Sequence, residues 1–398
     1  MKTDKQRELY AKVLDTIYTQ RPISRVDIST FNGITPATVG NITKELLAEQ
    51  LICEVGELDD HTVGRKKILL DIKKNACYFL GVELTEKHFY AVITDNLGTI
   101  LDTKDLEITD TDKAYTSSFV IQFITEFLEK HAELSIKAIG MALPGHYDRQ
   151  KGDAKHINTN NPVWRHVDLQ ELSHSFDIPV YYSNNGHCLI IAKRLFDKNT
   201  SQRNFIIFHV GRGMHCSYMY EGRIFSRYNP AIGEIGHTVV NPNGELCECG
   251  KRGCLQTYAS NTWILKKARL LYRATDKSYL KSLVQNEEDL TLDHLLAAYE
   301  LGDLGAMTLI DTAINYLVVS ISNLTLLLDV EQIYLHGKFI SYPKLADKIL
   351  NTLNQTTKVL ENQHFPDISV MPFSVFNGAV GAVGLCIDEY YLSYKGKI

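Results

Sequence analysis

The spacing of apolar positions divides the chain into an N-terminal helical stretch and a longer body. Over residues 4–20, Leu9, Val13 and Ile17 recur at four-residue steps, with Tyr10 and Leu14 beside them, which is one apolar stripe of a helix. Pro22 follows. SRVDIST (24–30) then predicts a short second helix capped by Ser24, and FNGI (31–34) a tight turn around Gly33. TPATVGNITKELLAEQLI (35–52) predicts a third helix, with Thr35 at the N-cap, Pro36 at the first helical position, and Val39, Ile42, Leu46 and Leu47 turned inward. LICEVGELDDHTVGRKKILLDI (51–72) alternates as strand, acidic turn, strand.

From Cys77 the pattern changes. Residues 77–108 predict three strands joined by tight turns, 117–133 an amphipathic helix, and 136–148 a buried strand ending in Pro-Gly. Residues 180–196 read as strand, turn, helix, and 204–225 as a strand, a turn at Gly211 to Gly213, and a hairpin. Three helices follow (262–273, 290–302, 306–328), then a buried strand (332–339) and a Gly-rich helix within 376–392. Strands in threes followed by helices, twice over, predict an α/β body of two lobes with a cleft.

Composition narrows the class. At 398 residues the chain is too long for one typical core, and its 44% hydrophobic and 22% charged content is that of a soluble globular protein. The apolar stretch 316–330 is broken by Ser, Asn and Thr and falls short of the roughly 18–20 residues of a membrane span, so no membrane insertion is expected. MKTDKQRELY has no apolar leader core, and Cys53, Cys77, Cys188, Cys216 and Cys386 are scattered; both predict a reducing cytoplasm. The net charge of −5 disfavours nucleic acid, but residues 1–75 carry net +1, with twelve Lys/Arg against eleven Asp/Glu, and the remainder −6.

Helix, short helix, Gly-containing turn, helix is the helix-turn-helix pattern, whose last helix enters the major groove by its N-terminal residues. Near that end Thr35, Thr38, Asn41 and Lys44 point outward, hydroxyl and amide groups for bases or phosphates and an ammonium for phosphate. Arg65 and Lys66, at the return strand of the following hairpin, make it a basic wing. The expected partner of this head is double-stranded operator DNA; a helical interaction module is the alternative.

Residues 231–260 hold Cys247, Cys249 and Cys254 within eight positions, ten residues after His237. Three thiolates and one imidazole suit tetrahedral Zn2+, and four protein ligands close the site, so a structural metal is predicted. Gly244, Gly250 and Gly253 stand where the loop must double back, a task that favours φ > 0.

The winged helix followed in order by GVELTEKHFYAVITDNLGTI, ALPGHYD, GEIGHTVV and CECGKRGCLQTYAS resembles the ROK family (repressors, open reading frames and sugar kinases), in particular its xylose- and N-acetylglucosamine-repressor branch. The resemblance spans essentially the whole chain. It implies an α/β fold in which a winged helix-turn-helix precedes a two-lobed, actin-like (sugar kinase/ribonuclease H-like) body. The expected domains are 1–72 for the head, 73–185 plus 378–398 for the first lobe, and 186–377 for the second, with the metal loop and dimerisation helices. It further implies zinc on His237, Cys247, Cys249 and Cys254, a sugar or sugar-derivative effector in the cleft, and a homodimer or homotetramer.

Against the kinase members of that family the chain departs at three places. GVELTEK (81–87) has Glu83 for the aspartate of the first phosphate loop and Leu84-Thr85-Glu86 where glycines belong, and its acidic groups would repel a nucleotide. Asn184-Asn185 stands where Asn-Asp would supply the proton acceptor, and an amide cannot take a hydroxyl proton. GMHCS (213–217) replaces the second glycine loop. No catalytic residue and no enzyme activity are therefore expected. The implied sugar-contacting positions are Asn160 or Asn161, Asn184, Asn185, Glu234, His237 and Gln256; at 185 and 256 an amide replaces a carboxylate, which weakens or alters ligand preference. A regulator controlled by a protein partner and, less favoured, a sugar kinase are the rival readings.

Overall fold

The structure, a computed structural model, describes residues 3–58, 67–108, 115–145, 163–198, 203–225, 229, 231–274, 278–355 and 365–393. It divides into two compact units, Met1–Ser201 with Ser374–Ile398, and Gln202–Phe373.

Unit 1 begins with the head. Helix α1 (Asp4–Gln20) opens on a capping box in which Thr3 and Gln6 satisfy each other's backbone N–H groups. Strand β1 (Ile23–Ser24) leads into α2 (Arg25–Asn32), capped by Ser24 and ended by Gly33 at φ 63°. Helix α3 (Pro36–Ala48) is capped by Thr35, and β2 (Ile52–Leu58) and β3 (Lys67–Ile72) form the wing hairpin. Val13, Leu14, Ile17, Ile28, Val39, Leu46 and Leu70 are buried and make the core of the three helices and the wing. Two details differ from the sequence reading. The third helix stops at Ala48, Gln50 turns the chain at φ 57°, and Ile52 already belongs to β2. Ile23 and Ser24 pair with Leu70 and Leu69, adding a third strand too short to show periodicity.

The same unit continues with β4 (Tyr78–Leu84), β5 (His88–Asp95), β6 (Ile100–Glu107), α4 (Ser117–Lys130), β7 (Ile136–Leu143), α5 (Leu169–His174), β8 (Val180–Asn184) and α6 (Asn185–Phe196). The sheet order is β6-β5-β4-β7-β8, antiparallel among the first three and parallel thereafter. Alternation along β4 sends Leu80, Val82 and Leu84 into the core shared with Phe89, Phe123, Phe127 and Trp164. Gly81 faces the other side, where the C-terminal helix Asn377–Ile387 lies so close that a Cβ would sit 2.0 Å from Ala379 O. Gly140 of β7 makes the same concession to Ala382 O. The C-terminal helix is pressed in turn onto α6 through Gly381 and Gly384, against Cys188 and Ala192.

That packing moves the expected boundary. The second lobe was to begin at residue 186, but α6 is bound to the C-terminal helix and to α1, so the division falls at 201/202 and 373/374. The head groups with unit 1.

Unit 2 holds β9 (Phe205–Val210), β10 (Met214–Tyr220), β11 (Arg223–Ile224), α7 (Gln256–Ala259), α8 (Asn261–Ala274), α9 (Leu280–Leu283), α10 (Leu292–Glu300), α11 (Leu304–Leu327), β12 (Gln332–His336), α12 (Pro343–Asn354) and β13 (Asp367–Val370). Its sheet order, β11-β10-β9-β12-β13, repeats that of unit 1: an antiparallel meander followed by two parallel strands. Helix α11 is long and apolar enough to cross a membrane, but Ile310, Ile314, Leu317 and Ile321 are buried in the core of unit 2. Its buried face packs against α7, α8, α10 and α12, while Leu304, Val319, Leu326 and Leu327 are exposed.

Candidate metal centre and ligand-binding residues

Residues 238–255 are held by few regular bonds. Two isolated bridges, Val239 to Cys254 and Leu246 to Arg252, fold the segment back on itself, and the Cys247 and Gly250 amides donate to Lys251 O and Cys247 O at 2.8 and 2.9 Å. Gly253 combines a φ of 68° with a Cβ position 1.5 Å from Asn241 O, so no other residue fits there. Gly244 differs from the expectation of a positive φ: it is required because the Gly253 Cα lies 2.8 Å from where its Cβ would be, with the Tyr258 hydroxyl closer still.

The fold brings all four predicted ligands together. His237 Nδ1 lies 3.6 Å from Cys247 Sγ, Cys249 Sγ lies 3.6 Å from Cys254 Sγ, and the four donor atoms are within 4.8 Å of one another. Two donors on one tetrahedral ion, at metal–ligand lengths of about 2.1–2.3 Å, stand about 3.4–3.8 Å apart. The donor set therefore fits such an ion. Its charge is also needed: burial and the adjacent Cys249 and Cys247 sulfurs push the Cys254 thiol up to about 12, so the cluster ionises fully only around a cation. Gln256, buried, gives its amide N–H groups to Cys247 Sγ at 3.4 Å and Glu248 Oε1 at 2.9 Å. It supports the candidate metal loop by orienting the Cys247 sulfur.

Residues expected to contact a sugar occur in each unit. In unit 2, half-buried Glu234 immediately precedes the 3-10 turn Ile235–His237. In unit 1, β8 runs directly into α6, without the turn predicted between them. Asn184 caps that helix, its Oδ1 accepting from His187 N at 2.7 Å. Asn185 Nδ2 donates to Glu83 Oε1 at 2.7 Å, while Asn185 Oδ1 is buried with no hydrogen-bond partner. Burial pushes the Glu83 carboxyl up to about 7, an effect the Asn185 amide partly offsets. Asn160 and Asn161 lie outside the described residues.

Two departures that look independent in the sequence are thus one arrangement. An aspartate at 185 would set two carboxylates in hydrogen-bond contact, whereas the amide satisfies Glu83. The hairpin turn after β4 is closed on itself, with Thr85 N donating to His88 O and His88 N to Thr85 Oγ1, both at 3.0 Å. Residues 214–217 are strand β10, paired with Ile207–Val210. Neither segment presents the open row of amides that a phosphate cradle needs.

On the head, Thr35, Asn41 and Lys44 are exposed on α3 and Thr38 is half-buried, on the side away from Val39, Ile42 and Leu46. Thr35 Oγ1 also caps the helix, accepting from Thr38 N at 3.4 Å. Arg65 and Lys66 lie outside the described residues. Sequence reasoning missed Arg21 and Arg194. Arg194 forks onto Asp15 at 2.8 and 2.6 Å, and buried Arg21 donates to Leu195 O at 3.0 Å. No periodicity or motif marks either arginine, because their partners are 174–179 residues distant.

Comparison with known proteins fits this geometry. The chain is 24% identical over 385 residues to the xylose repressor of Bacillus subtilis, covering 95% of this chain and 94% of that one. It is 27% identical over 334 residues to the DNA-binding transcriptional dual regulator NagC of Escherichia coli, covering 83% and 79%. Among solved structures, a ROK family transcriptional regulator homologous to the E. coli MLC protein shares the fold at a TM-score of 0.75, with 22% identity and 96% of both chains covered. A ROK family glucokinase from Streptomyces griseus shares it at 0.63, with 20% identity, over 98% of that chain but 77% of this one. The ROK family pattern itself matches residues 79–389, which begin just after the winged helix. By that match, most of the chain's length, it belongs to the ROK family.

Proposed function

We propose that this protein is a DNA-binding transcriptional repressor of carbohydrate-utilisation genes whose body responds to a sugar or sugar derivative and does not phosphorylate it. The observation that carries the reading is the winged helix with an exposed polar face on α3, joined to a ROK body in which Asn185 replaces a proton acceptor and is hydrogen-bonded to Glu83. Thr35, Thr38, Asn41 and Lys44, with Arg65 and Lys66 of the wing, contact the operator. Asn184, Asn185, Glu234, His237 and one of Asn160 or Asn161 hydrogen-bond ligand hydroxyls. Gln256 acts through the metal loop or directly. With Nδ1 in the donor cluster, His237 has Nε2 for a second contact. The ion is Zn2+ in a structural role, since three thiolates and an imidazole leave no open position. The protein acts in the cytoplasm as a homodimer or homotetramer, which gives two heads for two half-sites.

The test uses a labelled duplex selected from random sequence by the wild-type chain. Fluorescence anisotropy should show sub-micromolar binding that weakens steeply with salt, and titration with D-xylose or N-acetyl-D-glucosamine should shift the affinity. Phosphate transfer from ATP to either sugar would overturn the reading. Asn41→Ala should cost about 1–2 kcal/mol and relax preference at one base pair; Lys44→Ala should weaken all sequences about equally and lower the salt slope by about 1. Equal loss from both variants on every duplex would show that α3 does not read bases.

A further inference from the structure

Helix α6 has candidate ligand chemistry at one end and the DNA-binding head at the other. Its 12 residues span about 18 Å. At the N-terminal end Asn185 is bonded to Glu83, and its Oδ1, buried and unpartnered, is an acceptor waiting for a hydroxyl. At the C-terminal end the last carbonyls, Leu195 O and Phe196 O, accept from the Arg21 guanidinium at 3.0 and 3.5 Å. In the same last turn Arg194 holds Asp15 of α1 by two bonds, side chains 15% and 23% exposed. Arg21 also lies 3.6 Å from Asp71 of β3, so the clamp grips both the first helix and the wing.

We infer that Glu83 is a positioning residue for Asn185 and that α6 is the rod by which occupancy of the ligand site reaches the head. A ligand hydroxyl that donates to Asn185 Oδ1 and competes for its amide releases the hold of Glu83 on the N-terminal end of α6. The helix can respond as a unit because its contact with the C-terminal helix is made by small groups, Gly381 and Gly384 against Cys188 and Ala192, a surface suited to shear. Its far end cannot move without Asp15 and Arg21. Tyr18, whose hydroxyl donates to Asn96 O at 3.1 Å, ties α1 separately to the turn after β5. α1 is thus tied to the sheet through Tyr18, to the rod through Asp15, and also packs on Asp388–Leu392 at the end of the C-terminal helix, so a shift of the rod moves one of its holds against the others. Relevance to operator release rests on the repressor reading; the mechanical linkage does not.

Hydrogen exchange on the full-length protein tests the linkage without ligand or DNA. Glu83→Ala should speed exchange at least tenfold in α6 and, beyond it, in α1. In an Asp15→Asn/Arg194→Gln background, where a neutral pair replaces the clamp, the same substitution should change α1 less than twofold. Acceleration confined to residues near 83–88 and 185–188, or equal acceleration of α1 in both backgrounds, overturns the inference. Should Glu83→Ala not fold, Asn185→Ala, which removes the same hydrogen bond from the helix side, serves with the same two criteria. Failure of the wild-type chain to bind any selected duplex would sink the repressor reading and leave the exchange result standing on its own.

Discussion

Cys254→Ala, or chelation of the wild-type protein, should lower the melting temperature by about 10 °C and abolish stoichiometric metal content. The segment from Val239 to Cys254 is joined by two isolated bridges and a handful of backbone bonds, far too few to fix its conformation alone. Structural zinc contributes about 10–16 kcal/mol where an isolated finger depends on it for folding. Here the loop is rooted at Ile235 and Leu255 in the core of unit 2, which survives its loss, so a smaller share, on the order of 3–5 kcal/mol, is at stake. Spread over a unit of this size that corresponds to about 2–4 °C per kcal/mol. Calorimetry with elemental analysis is the measurement. Cys216→Ala, a buried cysteine outside the cluster, controls for simple cavity formation. An unchanged melt and unchanged metal content in Cys254→Ala would remove the metal from the account. Glu234 precedes the 3-10 turn that His237, a donor of the cluster, closes, so metal loss should also weaken any sugar response, although no catalytic group is removed.

The stability of the wild-type protein should fall relative to Glu83→Gln as pH rises from about 4.5 to about 7, by roughly 2–3 kcal/mol, then run parallel above that window. The sign follows from where the proton is held. Below about 4.5 the carboxyl is neutral in both folded and unfolded chains and costs nothing. Between the two values the unfolded chain ionises while the buried Glu83 keeps its proton, so each step up in pH favours unfolding. Above about 7 both forms are ionised and the penalty is constant. Groups such as Asp102, held down to about 2 by Lys130 and His131, act in the opposite direction at lower pH and cancel in the difference. Denaturant melts of the two proteins at matched pH provide the check. A difference independent of pH would mean that Glu83 is solvated and not buried against Asn185.

The elements of the body were legible wherever a periodicity ran for several turns or several alternations. α1, α3, α4, α8 and α11 and strands β4, β5, β7, β9 and β12 lie where apolar spacing put them. β13 and α12 were not anticipated, the first because one exposed and three half-buried residues carry no alternation that stands out. β1 depends wholly on β3 for its existence.

Chemistry that is local in the chain was open to reading: Cys247, Cys249 and Cys254 announce a candidate metal site because three donors fall within eight positions, and α3 announces its polar face by helical spacing. The head, the repeated strand pattern and the donor cluster are thus properties of the sequence by itself. The tertiary structure alone decided that α6 belongs with the head and the first sheet, that Gln256 serves Cys247, and that Glu83 and Asn185 form one pair across 102 residues. The physical reason is that glycine contacts, buried ion pairs and lone hydrogen bonds are set by which backbones meet. Gly81 and Gly140 admit the C-terminal helix to the sheet, that helix holds α6, and α6 brings Arg194 to Asp15. None of those meetings has a spacing along the chain. The residues from 231 to 260 show both halves: their donors are written in order, but the glycines and the buried glutamine that aim them acquire meaning only from Asn241, Tyr258 and Cys247.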